Sequence, residues 1–134
     1  MSRSTSYSST SCGRTATSLY NGSAGTLTQT SPMGRIVVAH LDDRDRMTQV
    51  DVPGVAESAR TCYDPLGRIE RVEQGTGAAQ RTVTYTYSPT SGYLESITDP
   101  LNRIVRFERD EAGRVTTQIL PDLREIGISY DGNG

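Results

Sequence analysis

Val83-Thr84-Tyr85-Thr86-Tyr87 runs into Ser88-Pro89-Thr90-Ser91-Gly92, which runs into Tyr93-Leu94-Glu95-Ser96-Ile97. The first five residues alternate apolar or aromatic side chains with Thr, the period and composition of a half-buried strand. The next five hold Pro, which presets φ, and Gly, which tolerates a positive φ, so they read as a tight reversal. The last five are the returning strand. A second turn, Thr98-Asp99-Pro100-Leu101-Asn102-Arg103, launches Ile104-Val105-Arg106-Phe107, and Arg109-Asp110-Glu111-Ala112-Gly113-Arg114 closes the cycle. No stretch keeps a 3.6-residue apolar stripe for three turns, and Pro and Gly interrupt the chain about every eleven residues. The fold class that follows is all-β, a meander of about ten to twelve short antiparallel strands paired as hairpins.

Outward from this stretch, one phrase recurs: an aromatic or leucine, usually an acid, a Gly-containing turn, then Arg and an aliphatic. Its fullest copy is Tyr63-Asp64-Pro65-Leu66-Gly67-Arg68-Ile69. Weaker copies begin at Tyr20, Leu41, Tyr87 and Arg109, and another starts at Tyr130-Asp131 and runs to Gly134. Successive starts lie 21, 22, 24, 22 and 21 residues apart, a fixed period that marks a repeat architecture. Half-unit turns fall between them, at Ser31-Pro32-Met33-Gly34-Arg35, Asp51-Val52-Pro53-Gly54, Asp99 to Arg103, and Pro121-Asp122-Leu123-Arg124.

Each phrase residue has a physical reason. The Asp (Asp64, Asp131 and, by alignment, Asp42 and Asp110) accepts backbone N–H groups just beyond it and so fixes the turn. Gly67 and Gly113 take a φ that a Cβ penalises. Arg68, Arg103 and Arg114 start returning strands, where the stem is expected to cover a neighbouring Tyr ring and the head to pair with an acid on the adjacent hairpin. Tyr63 and Tyr130 place rings in cross-strand rows. The repeat residues Tyr63, Asp64, Gly67, Arg68, Asp99, Arg103, Asp110, Gly113, Arg114, Tyr130, Asp131 and Gly134 are therefore expected to act structurally.

Composition agrees with a repeat. Hydrophobic residues make up 34% of the 134, with one Phe and no Trp, a thin supply for a compact core. The net charge of −2 gives no electrostatic footprint for nucleic acid or an anionic membrane surface. No apolar run is long enough to span a bilayer as a helix, and the N-terminus lacks the pattern of a secretory signal. Cys12 and Cys62 lack metal-ligand spacing and are expected to be thiols. Residues 1–18 are mostly Ser and Thr and are expected to form a flexible head, with repeats from 19 to 134.

The phrase, its period and its half-turns resemble the YD-repeat, or RHS-repeat, family. Tyr63 to Ile69 matches in full; Thr98 to Arg103 and Asp110 to Val115 match well. Leu41 and Arg109 stand in place of Tyr, Asn21 and Ser88 in place of Asp, and Leu123 in place of Gly. The resemblance implies a curved, open strip of hairpins that in longer arrays closes into a hollow shell. In bacterial polymorphic toxins and the C component of ABC toxin complexes such a shell encloses a toxic domain, and teneurins carry a related one at animal cell surfaces. It therefore implies a structural wall segment of a larger secreted or surface protein, about five repeats plus a partial sixth. Its partners would be further YD repeats of the same or a neighbouring chain and a toxin cargo domain; no cofactor is implied.

Readings from other classes compete. Exposed Tyr and Arg on a sheet can bind carbohydrate, the alternative to a wall. Enzyme readings are weaker. Asp42-Asp43-Arg44-Asp45-Arg46 lacks the Gly and terminal Glu of a calcium loop and is read as a hairpin tip. His40 has no nucleophile beside it in sequence, and Asp110-Glu111 and Glu70/Glu73 occupy repeat positions rather than a marked acid–base pair. No catalytic, metal or cofactor residues are assigned.

Overall fold

The computed structural model describes residues 4–11 and 14–131. They are all-β: twelve strands in a meander of antiparallel hairpins, with one short 3-10 turn at Gly77–Ala79. The chain divides into two units. The first holds residues 1–62 and 73–80, the second residues 63–72 and 81–134.

In the first unit, β1 (Ser4–Ser11), β2 (Arg14–Asn21), β3 (Thr26–Thr30), β4 (Ile36–Leu41), β5 (Met47–Val52) and β6 (Ala56–Tyr63, as far as Cys62) pair in sequence order. In the second, β8 (Arg81–Tyr87), β9 (Leu94–Thr98), β10 (Ile104–Arg109), β11 (Val115–Ile119) and β12 (Glu125–Gly127) do the same. Between them in sequence lies β7 (Ile69–Gln74). The strands expected around Tyr87 are β8 and β9, which turn back through 88–93.

The Ser/Thr-rich head differs from expectation. In place of irregular chain, Ser4–Ser11 pairs residue for residue with Arg14–Asn21, from Ser4 opposite Asn21 to Ser11 opposite Arg14. The expected division after residue 18 falls inside β2. A β-ladder is built from backbone groups, and Thr suits a pleated surface, so a segment with few apolar side chains can still extend a sheet that its neighbours nucleate.

None of the described residues is buried. A hydrophobic core between packed layers, the usual basis of a domain, is absent among them. What holds each unit is therefore backbone pairing, cross-strand side-chain contacts worth about 0.2–1 kcal/mol each, and the turns. Large apolar side chains project at turn tips: Met33, Leu66, Leu101 and Leu123 are each more than two-thirds exposed. Among the described residues no helix is long and apolar enough to cross a membrane.

Candidate functional site

Most of the turns share one construction. In 64–68 the Asp64 N–H donates to the Arg68 carbonyl (2.9 Å) and the Gly67 N–H donates to the Asp64 carbonyl (2.9 Å). The same pair of bonds closes 42–46, 99–103, 110–114, 31–35 and 120–124. This is a three-residue hairpin loop, a type I turn followed by one residue in the left-handed region. Gly67, Gly113 and Gly34 fill that place with φ of +82°, +82° and +76°. Asp45, Asn102 and Leu123 fill it elsewhere at +57°, +59° and +66°, and they are the non-glycine residues with positive φ among those described.

The acid does more than cap. Asp64 Oδ1 accepts the Arg68 N–H at 2.9 Å, while Oδ2 takes Nε and Nη2 of the same guanidinium, both at 2.7 Å. Asp42 holds Arg46, Asp99 holds Arg103 and Asp110 holds Arg114 in the same fork, with closest contacts of 2.7, 2.6 and 2.9 Å. The arginine head thus pairs with the acid of its own turn, not with one on the adjacent hairpin as the sequence had suggested. Five positions of a tight loop bring the two ends within fork distance, so the nearest carboxylate wins. At 120–124 the acid stands two residues later, and Asp122 takes Arg124 at 2.6 Å.

These contacts hold the carboxyls below their ordinary range. For Asp42, Asp99 and Asp110 the main cause is the backbone N–H of the paired arginine, which outweighs partial burial. For Asp64 partial burial pushes upward most strongly, and the Arg68 N–H and guanidinium together overcome it.

The tyrosines link one phrase to the next. Arg68 lies over the Tyr87 ring at 4.2 Å, and the Tyr87 hydroxyl donates to the Ile69 carbonyl at 2.8 Å. Arg114 lies over the Tyr130 ring at 4.7 Å, and the Tyr130 hydroxyl donates to the Val115 carbonyl at 2.7 Å. In both, the first residue of a later phrase reaches back to the aliphatic of the earlier one. The sequence expectation that arginine stems cover neighbouring Tyr rings matches this geometry at both places.

Between these two stands a copy that looks degenerate in sequence and is not. At 88–93 Tyr93 occupies the place of Arg, and at the next phrase Arg109 occupies the place of Tyr. The pair is exchanged: Arg109 lies over the Tyr93 ring at 5.1 Å, and its Nη2 donates to the Leu94 carbonyl at 3.3 Å. Leu94 is the aliphatic of that phrase, so the carbonyl that accepts a Tyr hydroxyl elsewhere here accepts a guanidinium. Arg109 Nη1 donates to the Gly113 carbonyl at 3.0 Å, as Arg68 Nη1 donates to the Gly92 carbonyl at 2.8 Å. Ser88 replaces Asp where there is no arginine in the turn to hold. One cost is visible: Arg109 Nε is buried without a hydrogen-bond partner.

The remaining candidates fall apart as chemistry. Asp110 is engaged by Arg114, and Glu111 beside it is exposed. His40 Nε2 meets Asp51 Oδ2 at 2.8 Å, and Asp51 also takes the Gln49 amide at 2.8 Å. Ser58, then Gln49 and His40, hold the Asp51 carboxyl low. The carboxylate, not the imidazole, is central in this cluster, so no base is set against a hydroxyl nucleophile. No group of three or more metal-ligating side chains occurs among the described residues. Tyr63 lies at the end of β6, and Asp131 follows Tyr130. Gly134 lies outside the described residues.

No family model matches the chain, and no curated protein matches it.

Proposed function

We propose that this chain is a structural repeat segment, part of the wall of a YD/RHS-type β-shell that encloses or scaffolds a toxin or other cargo domain of a larger secreted or surface protein. The observation that carries the reading is the fork-and-stack turn. Its Asp, Arg and Tyr groups are consumed by one another, as Asp64, Arg68 and Tyr87 illustrate. Groups spent on joining one hairpin to the next build a strip; they are poor candidates for binding an outside ligand. The absence of buried residues among those described supports the same reading, because a wall acquires its protected side from what it encloses.

Carbohydrate binding by the ladder Tyr and Arg is disfavoured by the same contacts. Tyr87 and Tyr130 each have one ring face under an arginine and the hydroxyl committed to a carbonyl. Sedimentation velocity over a range of concentrations, with thermal melting of the same samples, tests the wall reading. Association that grows with concentration, or a low melting midpoint, is expected of a coreless wall segment in isolation. A monodisperse monomer with a high, cooperative melt would overturn it.

A further inference from the structure

In the first unit, one face of the opening strands carries a groove unrelated to the turn ladder. Cross-strand register sets Tyr7 opposite Ser18, Ser18 opposite Gln29, and Gln29 opposite Val37. Residues directly opposite one another project to the same side of a sheet, so these four form a row across β1 to β4. The row is large, small, large. Ser18 and, two residues earlier on the same face, Ala16 make a half-buried floor on β2. Tyr7, 72% exposed, stands on one side, and exposed Gln29 with Pro32 and Val37 stands on the other. Strands about 4.8 Å apart place the walls about 10 Å from each other, the width of a flat ring. The space is about 490 Å³, within the range of ligand sites, and no residue lining it carries a formal charge.

We infer that this groove binds a neutral, unbranched oligosaccharide. The chemistry is specific to that class. A pyranose ring presents a face of C–H groups, which suits the electron-rich face of the Tyr7 ring and the flat apolar surface of Pro32. Its rim presents hydroxyls, which suit the Gln29 amide and the Ser18 hydroxyl, each able to donate and accept. An anionic ligand would want guanidinium or ammonium groups in the lining; Arg14 and Arg35 stand two residues beyond Ala16 and Val37, and neither lines the groove. An apolar peptide would leave the row of hydroxyls without partners. Tyr7 takes no part in the arginine stacks, so its ring is available where the ladder rings are not. This inference goes beyond the wall reading and does not depend on it.

The test is titration of the full chain with cellohexaose and maltohexaose, followed by calorimetry and by backbone amide NMR shifts. The expected result is saturable binding with a Kd on the order of 1 mM or tighter for at least one of them, with shifts centred on β1 to β4. Tyr7→Ala and Gln29→Ala should each weaken it at least about tenfold, and Ser18→Phe, which fills the floor, should abolish it. Tyr87→Ala, in the ladder, should leave it unchanged. Far-ultraviolet circular dichroism of each variant should match the parent, since Tyr7 and Gln29 are exposed. Lack of binding by both sugars, or tighter binding of a heparin hexasaccharide that fades with salt, would overturn the inference. So would sensitivity to Tyr87→Ala but not Tyr7→Ala, a result that would also count against the wall reading, whereas simple absence of sugar binding leaves that reading intact.

Discussion

At the scale of single residues, the left-handed slot of each turn decides what the chain tolerates. Leu123 occupies that slot with φ +66° and a side chain 75% exposed. A left-handed conformation costs an L-residue about 1–2 kcal/mol, and the exposed leucine recovers little of it by burial. Leu123→Gly should therefore raise stability, by about 1 kcal/mol after glycine's extra unfolded-state entropy is counted, read as a higher denaturation midpoint at constant slope. The aspartates set the pH response. Asp42, Asp64, Asp99 and Asp110 are all held below 3.8, so an unfolded chain binds protons more readily than the folded one as acid is added. Their contribution is full above about pH 4–5 and is lost as pH falls through the depressed folded values. Acid titration of the melting midpoint should show a decline that begins near pH 4 and steepens below it, and Asp99→Asn with Asp110→Asn should flatten that decline. The Gly and Pro places were legible in the sequence because they are local. The acid's partner was not: Asp64 to Arg68 in sequence does not say whether the guanidinium folds back on its own turn or reaches across, and only loop geometry settles it.

At the scale of elements, the unit of design is the pair of phrases. Ser88, Tyr93 and Arg109, read column by column, look like three losses. Read together in space they are one exchange that keeps an arginine over a tyrosine and a donor on the Leu94 carbonyl. No single position signals this; the signal available in the sequence was the joint occurrence of Arg at a Tyr place and Tyr at the preceding Arg place. Bulges escaped for a similar reason. Register slips beside Leu41, Tyr87 and Arg109, the first residue of three phrases, and a bulge re-aims the side chain that follows it toward the earlier hairpin. The exchange makes a sharp prediction. Tyr93→Arg and Arg109→Tyr should each destabilise, while the double variant should recover much of the loss, with a coupling of about 0.5–1 kcal/mol in a double-mutant cycle. Adding Ser88→Asp to the double variant supplies a carboxylate for the new guanidinium and removes the buried unpartnered Nε, so it should raise stability further. Additive losses would show that the two side chains do not act as a pair.

At the scale of the molecule, a chain with no buried residue among those described must hold itself together one neighbour at a time. Within each unit, the strands in contact are consecutive ones. Such a molecule behaves as a row of coupled hairpins rather than as one core that melts at once. The overall class was plain from the period of the repeat, yet the hairpin at Ser4–Ser11 and Arg14–Asn21 was not, because backbone pairing leaves no trace in hydropathy. Residue-resolved amide hydrogen exchange of the intact chain tests this account most directly. It predicts opening free energies that step from hairpin to hairpin, with β1 lowest and the turn amides bonded to Asp carboxylates, such as those of Arg68 and Arg114, the most protected of their loops. A single common opening energy across all strands would mean that one cooperative core holds the chain, and would contradict the account.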